Sequence, residues 1–211
     1  MAIRAWKASL AYRVRRVLGA VPGVSLHRYV LVAVPVEAMP ARMPDGFTVI
    51  RPTRDELVAA GLAERHAAAW RETQGMVCVG IARGTTLVGA TWLGIEDFYE
   101  DEVHVTFAPP AGAAWDTGMV VLPAMRGGRA FAALWAATRA WAQAQGVRWS
   151  MSRIADYNLG SRRAHARLGA VEVGRVTVFR VGGRQWVGGA RPFVSDLGGT
   201  PPMVRVRVPG D

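Results

Sequence analysis

The sequence predicts a mixed α/β fold with hairpin-forming strands and flanking amphipathic helices, and three observations carry that expectation. Residues 77–83 and 86–93 are two β-rich runs joined at Gly84, the pattern of an antiparallel hairpin. Residues 131–145 are alanine-rich, with Leu134, Trp135, Thr138 and Trp141 in a helical stripe and Gly146 as the stop. The chain is 211 residues long and 51% hydrophobic, which suits one domain with extensions and excludes a disordered basic tail.

The elements follow in order. Residues 1–18 read as an amphipathic helix, since Ile3, Trp6, Leu10, Val14 and Val17 recur at three- and four-residue steps among Arg4, Lys7, Arg13, Arg15 and Arg16. Gly19, Pro22 and Gly23 end it. No acid precedes Glu37, so this helix suits either an anionic membrane surface or the flank of the domain. A strand is expected at 28–34, and the proline-rich residues 35–44 read as a linker. The chain thus divides into an extension at 1–44, a domain at 45–188 and a Gly/Pro-rich tail at 189–211. Inside the domain, 47–51 alternate as a strand and 55–70 carry helical spacing. Residues 103–107, 119–122 and 148–154 are further strand candidates, and 161–168 form a short helix closed by Gly169. The run 172–181 and the run beginning at Arg184 make a last hairpin around Gly182 and Gly183. In the tail, only 204–208 alternate like an edge strand. Trp70, Trp92, Trp135, Trp141 and Trp149 are expected in the core.

The formal net charge of +10 comes from 25 Arg and one Lys against 16 acids. It is unevenly spread: residues 1–50 carry +5, residues 51–116 carry −5 and residues 117–211 carry +10. Apart from Trp6 and Tyr12 there is little interleaving of base-stacking aromatics with basic residues, so a nucleic-acid partner is not expected, and a non-catalytic arginine-rich module for nucleic acid or anionic membrane is the alternative reading. One cysteine, Cys78, excludes an internal disulfide and a multi-cysteine zinc site, and its apolar surroundings mark a buried small hydrophobe. No His, Cys, Asp and Glu set has ligand spacing, so no metal is expected, and no G-x-S-x-G elbow occurs. The longest apolar run, 29–36, is far short of a membrane span, and no signal-peptide pattern follows the basic N-terminus. The expected location is the cytoplasm, with peripheral contact at the inner face of the membrane if residues 1–18 bind lipid. The oligomeric state is open, and a homodimer is compatible with the chain.

Two segments carry the chemistry. In the first, Val120, Val121 and Leu122 lead through Pro123, Ala124, Met125, Arg126, Gly127, Gly128 and Arg129 into Ala130, Phe131 and a long helix. Such a turn exposes backbone N–H groups at the positive end of a helix dipole, where glycines let a phosphate approach closely. In the second, Asn158 and Ser161 open a short helix that carries His165 and ends in Leu168, Gly169 and Ala170. Together these resemble the GNAT N-acyltransferase superfamily, with its strand, its R/Q-x-x-G-x-G/A turn, its helix, and then its N-x-x-S/A helix ending in L-G-F. The resemblance covers roughly residues 47–187. One departure stands out: the two later glycine positions fall on Arg129 and Phe131, with Gly128 one place early and Ala170 where an aromatic is usual.

The resemblance implies a mostly antiparallel central sheet flanked by helices, an acetyl-CoA or other acyl-CoA donor, and direct attack by a primary amine. Donor contacts would come from Val120, Val121, Leu122, Arg126, Gly127, Gly128, Arg129, Ala130, Phe131, Asn158 and Ser161. Backbone N–H groups near 120–122 would polarise the thioester carbonyl. His165 stands seven residues after Asn158, where many relatives carry a tyrosine, and is either the acid for the departing thiolate or a helix-surface residue. Tyr157 is a second candidate acid. Asp116 or Glu102, with His104 nearby, would draw the proton from the amine, although an Asp beside Gly118 also suits a turn. Five acids within 96–102 read either as a solvated loop or as a mouth for a cationic acceptor.

Overall fold

The computed structural model describes residues 21–100, 102–126, 128–188 and 193–210. The helix expected at 1–18 lies outside the described residues, as do Asp101 and Gly127. Among the described residues, nine strands form one sheet. They are β1 (Val24–Pro35), β2 (Thr48–Ile50), β3 (Val77–Arg83), β4 (Thr86–Gly94), β7 (Ala113–Val121), β8 (Trp149–Ala155), β9 (Val171–Val181), β10 (Arg184–Gly188) and β11 (Phe193–Asp196). Their spatial order is β11-β10-β9-β1-β8-β7-β4-β3-β2. Every pairing in this sheet is antiparallel except β7 with β8. A small second sheet is built from β5 (Phe98–Tyr99), β6 (Thr106–Ala108) and β12 (Met203–Arg205).

The helices divide between the two faces. On one face, α1 (Arg54–Ala59) and α2 (Arg65–Thr73) pack with the small sheet over a core that includes Leu31, Met151, Trp115, Phe107 and Leu57. On the other, α3 (Arg129–Ala144) sends Ala130, Ala133, Leu134 and Ala137 onto Val79, Ile81 and Val121. Alternation along the strands produces this two-sided burial: Ala114 and Asp116 of β7 face α3, whereas Ala113 and Trp115 face α1 and α2. The helix α4 (Leu159–Arg167) lies on the α3 face, where His165 meets Trp135 edge-on at 5.3 Å between ring centroids.

The periodic helix expected at 55–70 is two helices. A Thr53–Glu56 capping box starts α1, and Gly61, at φ +67°, ends it so that Leu62 turns back into the core. The larger correction concerns the expected extension at 1–44. β1 sits between β8 and β9, hydrogen-bonded to both, with Val30, Leu31, Ala33 and Val34 almost wholly buried. The expected linker is packed as well: Val36 and Met39 are buried, and Arg139 of α3 donates to the carbonyls of Glu37 and Met39. At the other end, β12 pairs parallel with β6 while Val206 and Val208 enter the core, so this segment of the expected tail is built into the domain.

Because β1 is a central strand, Leu31→Ala is expected to cost about 2–5 kcal/mol, as for a truncated core leucine. Urea unfolding checks this; a segment merely attached to the domain would leave the midpoint unchanged.

Candidate active site

The parallel pair β7–β8 defines the site. Its register runs from Ala113 opposite Trp149 to Asp116 opposite Ser152 and stops there. Beyond this point Thr117, Val120 and Val121 pair with β4, and Arg153, Ile154 and Ala155 pair with β1, so two inner strand edges face each other across a fork. The N–H of Leu122 is used by the Val88 carbonyl at 2.9 Å. N–H direction alternates along a strand, so Val120 also points to β4 and Val121 points to the fork. Of the three expected backbone donors, Val121 is thus the one on the open edge. The strand carries a bulge just past the fork, where Gly118 adopts φ +63°.

At the far end of this edge lies the arginine-glycine turn. A 3₁₀ turn at Pro123–Met125 brings the chain to Arg126, and Gly128, at φ +110°, occupies the position before the first residue of α3. A side chain is disfavoured at that φ. A cavity of about 220 Å³ is lined here by Phe47, Arg83, Met125, Arg126, Arg129 and Ala130. Arg126 donates to the Val121 carbonyl at 3.4 Å, and Arg129 to that of Asp45 at 2.8 Å. Ala130 is buried, and the ring of Phe131 packs against Trp135 at 5.9 Å. Both therefore face the protein interior, leaving only their backbone toward the turn.

Beneath the fork, on the α3 face, a buried polar chain joins four strand and helix side chains. Thr91 donates to Asp116 Oδ1 at 2.7 Å, Ser152 Oγ lies 3.5 Å from Asp116 Oδ2, and His165 Nε2 lies 3.2 Å from Ser152 Oγ. His165 Nδ1 is 2.8 Å from the Ser161 carbonyl, which can only accept, so Nδ1 carries a hydrogen. A neutral ring then accepts from Ser152 at Nε2. A charged ring donates to Ser152 and frees the serine hydrogen for Asp116. The chain thus has two complementary arrangements of its hydrogens, with Ser152 as the switch. Burial raises the Asp116 carboxyl above its ordinary value, while the His165 charge and the hydrogen bonds from Thr91 and Ser152 oppose that rise. His165 is 4% exposed and Asp116 3%, so neither is a surface or turn residue. Asn158 accepts the Ser161 N–H at 3.0 Å and thereby caps α4, while Tyr157 sits half-buried at the turn before it.

Glu102 lies on the opposite face, away from this chain. It accepts from Tyr29 at 2.7 Å and from Arg153 at 3.0 Å, with His27 at 3.4 Å; Glu100 meets Arg153 at 2.6 Å. The hydrogen bond from His27, helped by the Arg153 charge and the Tyr29 hydroxyl, holds the Glu102 carboxyl well below the ordinary carboxylate range despite burial. Its affinity for an amine proton is correspondingly poor. The acidic run does not gather into one mouth. Glu96 and Asp97 line a separate groove against Ala137 and Trp141 of α3, at the other end of the sheet. His104 is committed to Tyr99 at 2.8 Å and to the Gly199 carbonyl at 2.9 Å, tying down the C-terminal segment. Burial pushes the Cys78 thiol up to about 12, which leaves it unreactive near neutrality. Among the described residues, no group of three or more His, Cys, Asp and Glu side chains is placed to hold a metal ion, and no helix is long and apolar enough to cross a membrane.

Sequence reasoning missed Ser152 and Thr91, the links that make Asp116 and His165 one unit. Thr91 had a local signal, a hydroxyl in the apolar run of β4; Ser152 is an ordinary strand serine, and only the fold gives it partners.

The acetyltransferase (GNAT) family model matches residues 44–170. No curated protein matches the chain. Among solved structures, a GNAT-family protein from Novosphingobium aromaticivorans aligns at TM-score 0.52 and 15% identity, over 81% of this chain and 69% of its own. A conserved protein of unknown function from Staphylococcus epidermidis aligns at TM-score 0.52 and 10% identity, over 82% and 67%. A Drosophila protein aligns at TM-score 0.51 and 17% identity, over 82% of this chain and 57% of its own, so the chain spans little more than half of that protein. At these identities the likeness is one of fold.

Glu102→Gln is expected to lower stability at about pH 7 and to matter less in acid. A carboxyl with a depressed pKa stabilises fully above its unfolded value of about 4.3 and loses that contribution as pH falls through the folded value. Urea midpoints of the two proteins, measured from about pH 7 down to about pH 3, are expected to draw closer below about pH 4 without meeting.

Proposed function

The chain belongs to the acetyltransferase (GNAT) family, and from that premise we propose that it is an N-acyltransferase. It moves an acyl group, most simply acetyl, from acyl-CoA to a primary amine. The observation that carries this reading is the parting of β7 from β8 after four paired positions, beside the turn that opens α3. Two unpaired strand edges form a slot in which an extended, amide-bearing donor arm can bond as a strand would. The donor's phosphates would lie at Gly128 and the start of α3, with Arg83, Arg126 and Arg129 around them. Its arm would follow the free edge of β7, with the Val121 N–H among its partners, and place the thioester near the fork.

At the fork, the amine nitrogen bonds to the thioester carbon as the C–S bond breaks. The amine nitrogen must lose a proton and the thiolate must gain one. The Ser152–His165 pair supports the second transfer: a proton leaves Ser152 for sulfur and is replaced from His165 Nε2, ending on CoA as the free thiol. Asp116, buried beside Ser152, does not itself reach the amine. Glu102, held ionised by three partners, is a counter-charge on the acceptor face, and water takes the proton of the amine.

Calorimetric titration with acetyl-CoA tests the donor. Saturable binding is expected, weakened about tenfold in Arg126→Ala by loss of one charge-assisted contact. No heat at millimolar acetyl-CoA overturns the reading. In a thiol-release assay over a panel of amines, Ser152→Ala and His165→Phe are each expected to lower kcat by about 10²–10⁴ while leaving acetyl-CoA affinity within about twofold. An unchanged kcat in both removes the pair from the reaction.

A further inference from the structure

Arg71, near the end of α2, faces the fork from the side opposite α3. Its guanidinium lies against Gly118 at the bulge, with its central carbon 3.1 Å, Nε 3.2 Å and one terminal nitrogen 3.3 Å from where a β-carbon would stand. Gly118 is two residues beyond the last paired position of the fork, and its positive φ together with the missing side chain makes room for the cation. The helix holding Arg71 is itself fixed, since Trp70 donates to the Tyr99 carbonyl at 3.0 Å and Ala68 is fully buried.

Two neighbouring arginines have carboxylate partners. Arg153 is met by Glu100 and Glu102, and Arg54 by Glu72. Arg71 has no carboxylate within ion-pair distance among the described residues, and its Nε is buried without a hydrogen-bond partner. The ionisable side chain beside it on β3, Cys78, is neutral near pH 7, and a second cation, Arg51, donates to the Cys78 carbonyl at 3.1 Å. A buried cationic N–H with no acceptor is costly, and such a group calls for an acceptor from water or a ligand. The donor's phosphates would belong to the turn beyond the end of β7, where Phe47 and Ala130 pack on the α3 face, whereas Arg71 lies on the opposite face, so they do not supply it.

We infer that Arg71 receives a carboxylate carried by the acceptor itself, so that the substrate is a small amino-acid-like amine whose carboxylate docks on Arg71 while its amine reaches the fork. The inference rests on the acyl-transfer reading and narrows its acceptor. A guanidinium fork matches a carboxylate in two parallel hydrogen bonds, and an acceptor amine, being a cation in solution, has no attraction of its own for Arg71. Glu100 and Glu102, the acids of that loop nearest the fork, are already paired with Arg153, Tyr29 and His27.

The test compares matched acceptors with acetyl-CoA saturating: the twenty amino acids, and the decarboxylated amines of leucine, phenylalanine and tyrosine. For at least one pair, kcat/KM is expected to favour the carboxylated member by tenfold or more. Arg71→Ala is expected to erase that preference through KM while leaving the carboxylate-free amine within twofold, and Arg71→Lys to restore part of it. Equal turnover of both members of every pair overturns the inference, as does an Arg71→Ala loss of equal size for both, which would assign Arg71 to the reaction rather than to the acceptor. Thermal unfolding of both variants separates misfolding from these outcomes. If acetyl-CoA binds but no amine is acylated, the acyl-transfer reading fails by itself. Calorimetry with the amino acids on the CoA-loaded protein then decides Arg71: binding lost in Arg71→Ala supports it, and no binding to the unmodified protein overturns it.

Discussion

The structure depends on one interruption of hydrogen bonding. Two parallel strands, β7 and β8, share four positions and then separate, each keeping a partner on its outer side. Backbone N–H and C=O groups on the inner edges are left for something else to satisfy. A bulge at Gly118 and the pairing of Arg153 to Ala155 with β1 sustain the opening, since neither strand can return to the other without giving up its outer neighbour. The N-terminal strand is therefore part of the site's construction. Without β1, the outer edge of β8 would be unpaired.

Each face of the opening carries its own buried polar group. Below it, Thr91, Asp116, Ser152 and His165 form a chain in which every strand of the fork contributes a side chain. Above it, Arg153 lies across the ring of Tyr29 at 4.1 Å and gathers Glu100 and Glu102. The two clusters lie on opposite faces because Ser152 and Arg153 are neighbours in one strand and point to opposite sides. The acidic middle of the sequence is thus largely consumed internally, while Arg71, with no carboxylate within ion-pair distance among the described residues, stands over the bulge.

The sequence by itself determined the local units. Gly84 between two β-rich runs, the alanine-rich helix ended by Gly146, the arginine-glycine turn before it, and Asn158 three residues before Ser161 are patterns whose cause lies within a few residues, through turn conformation, helix propensity and capping. These pointed to the turn and to α4, and the family resemblance added His165. Only the tertiary structure decided what each unit meets. A strand's pattern shows that it will be buried and not where, so the strand expected at 28–34 within an N-terminal extension stands, as part of residues 24–35, at the centre of the sheet. The periodicity across 55–70 hid a break at Gly61, because both short helices bury the same kind of stripe. Asp116, Ser152 and His165 are separated by 36 and 13 residues, and Arg71 and Gly118 lie further apart in the chain than either pair. Hydrogen bonds and unpaired charges between such positions follow from the packing of elements in space, and no local propensity encodes them.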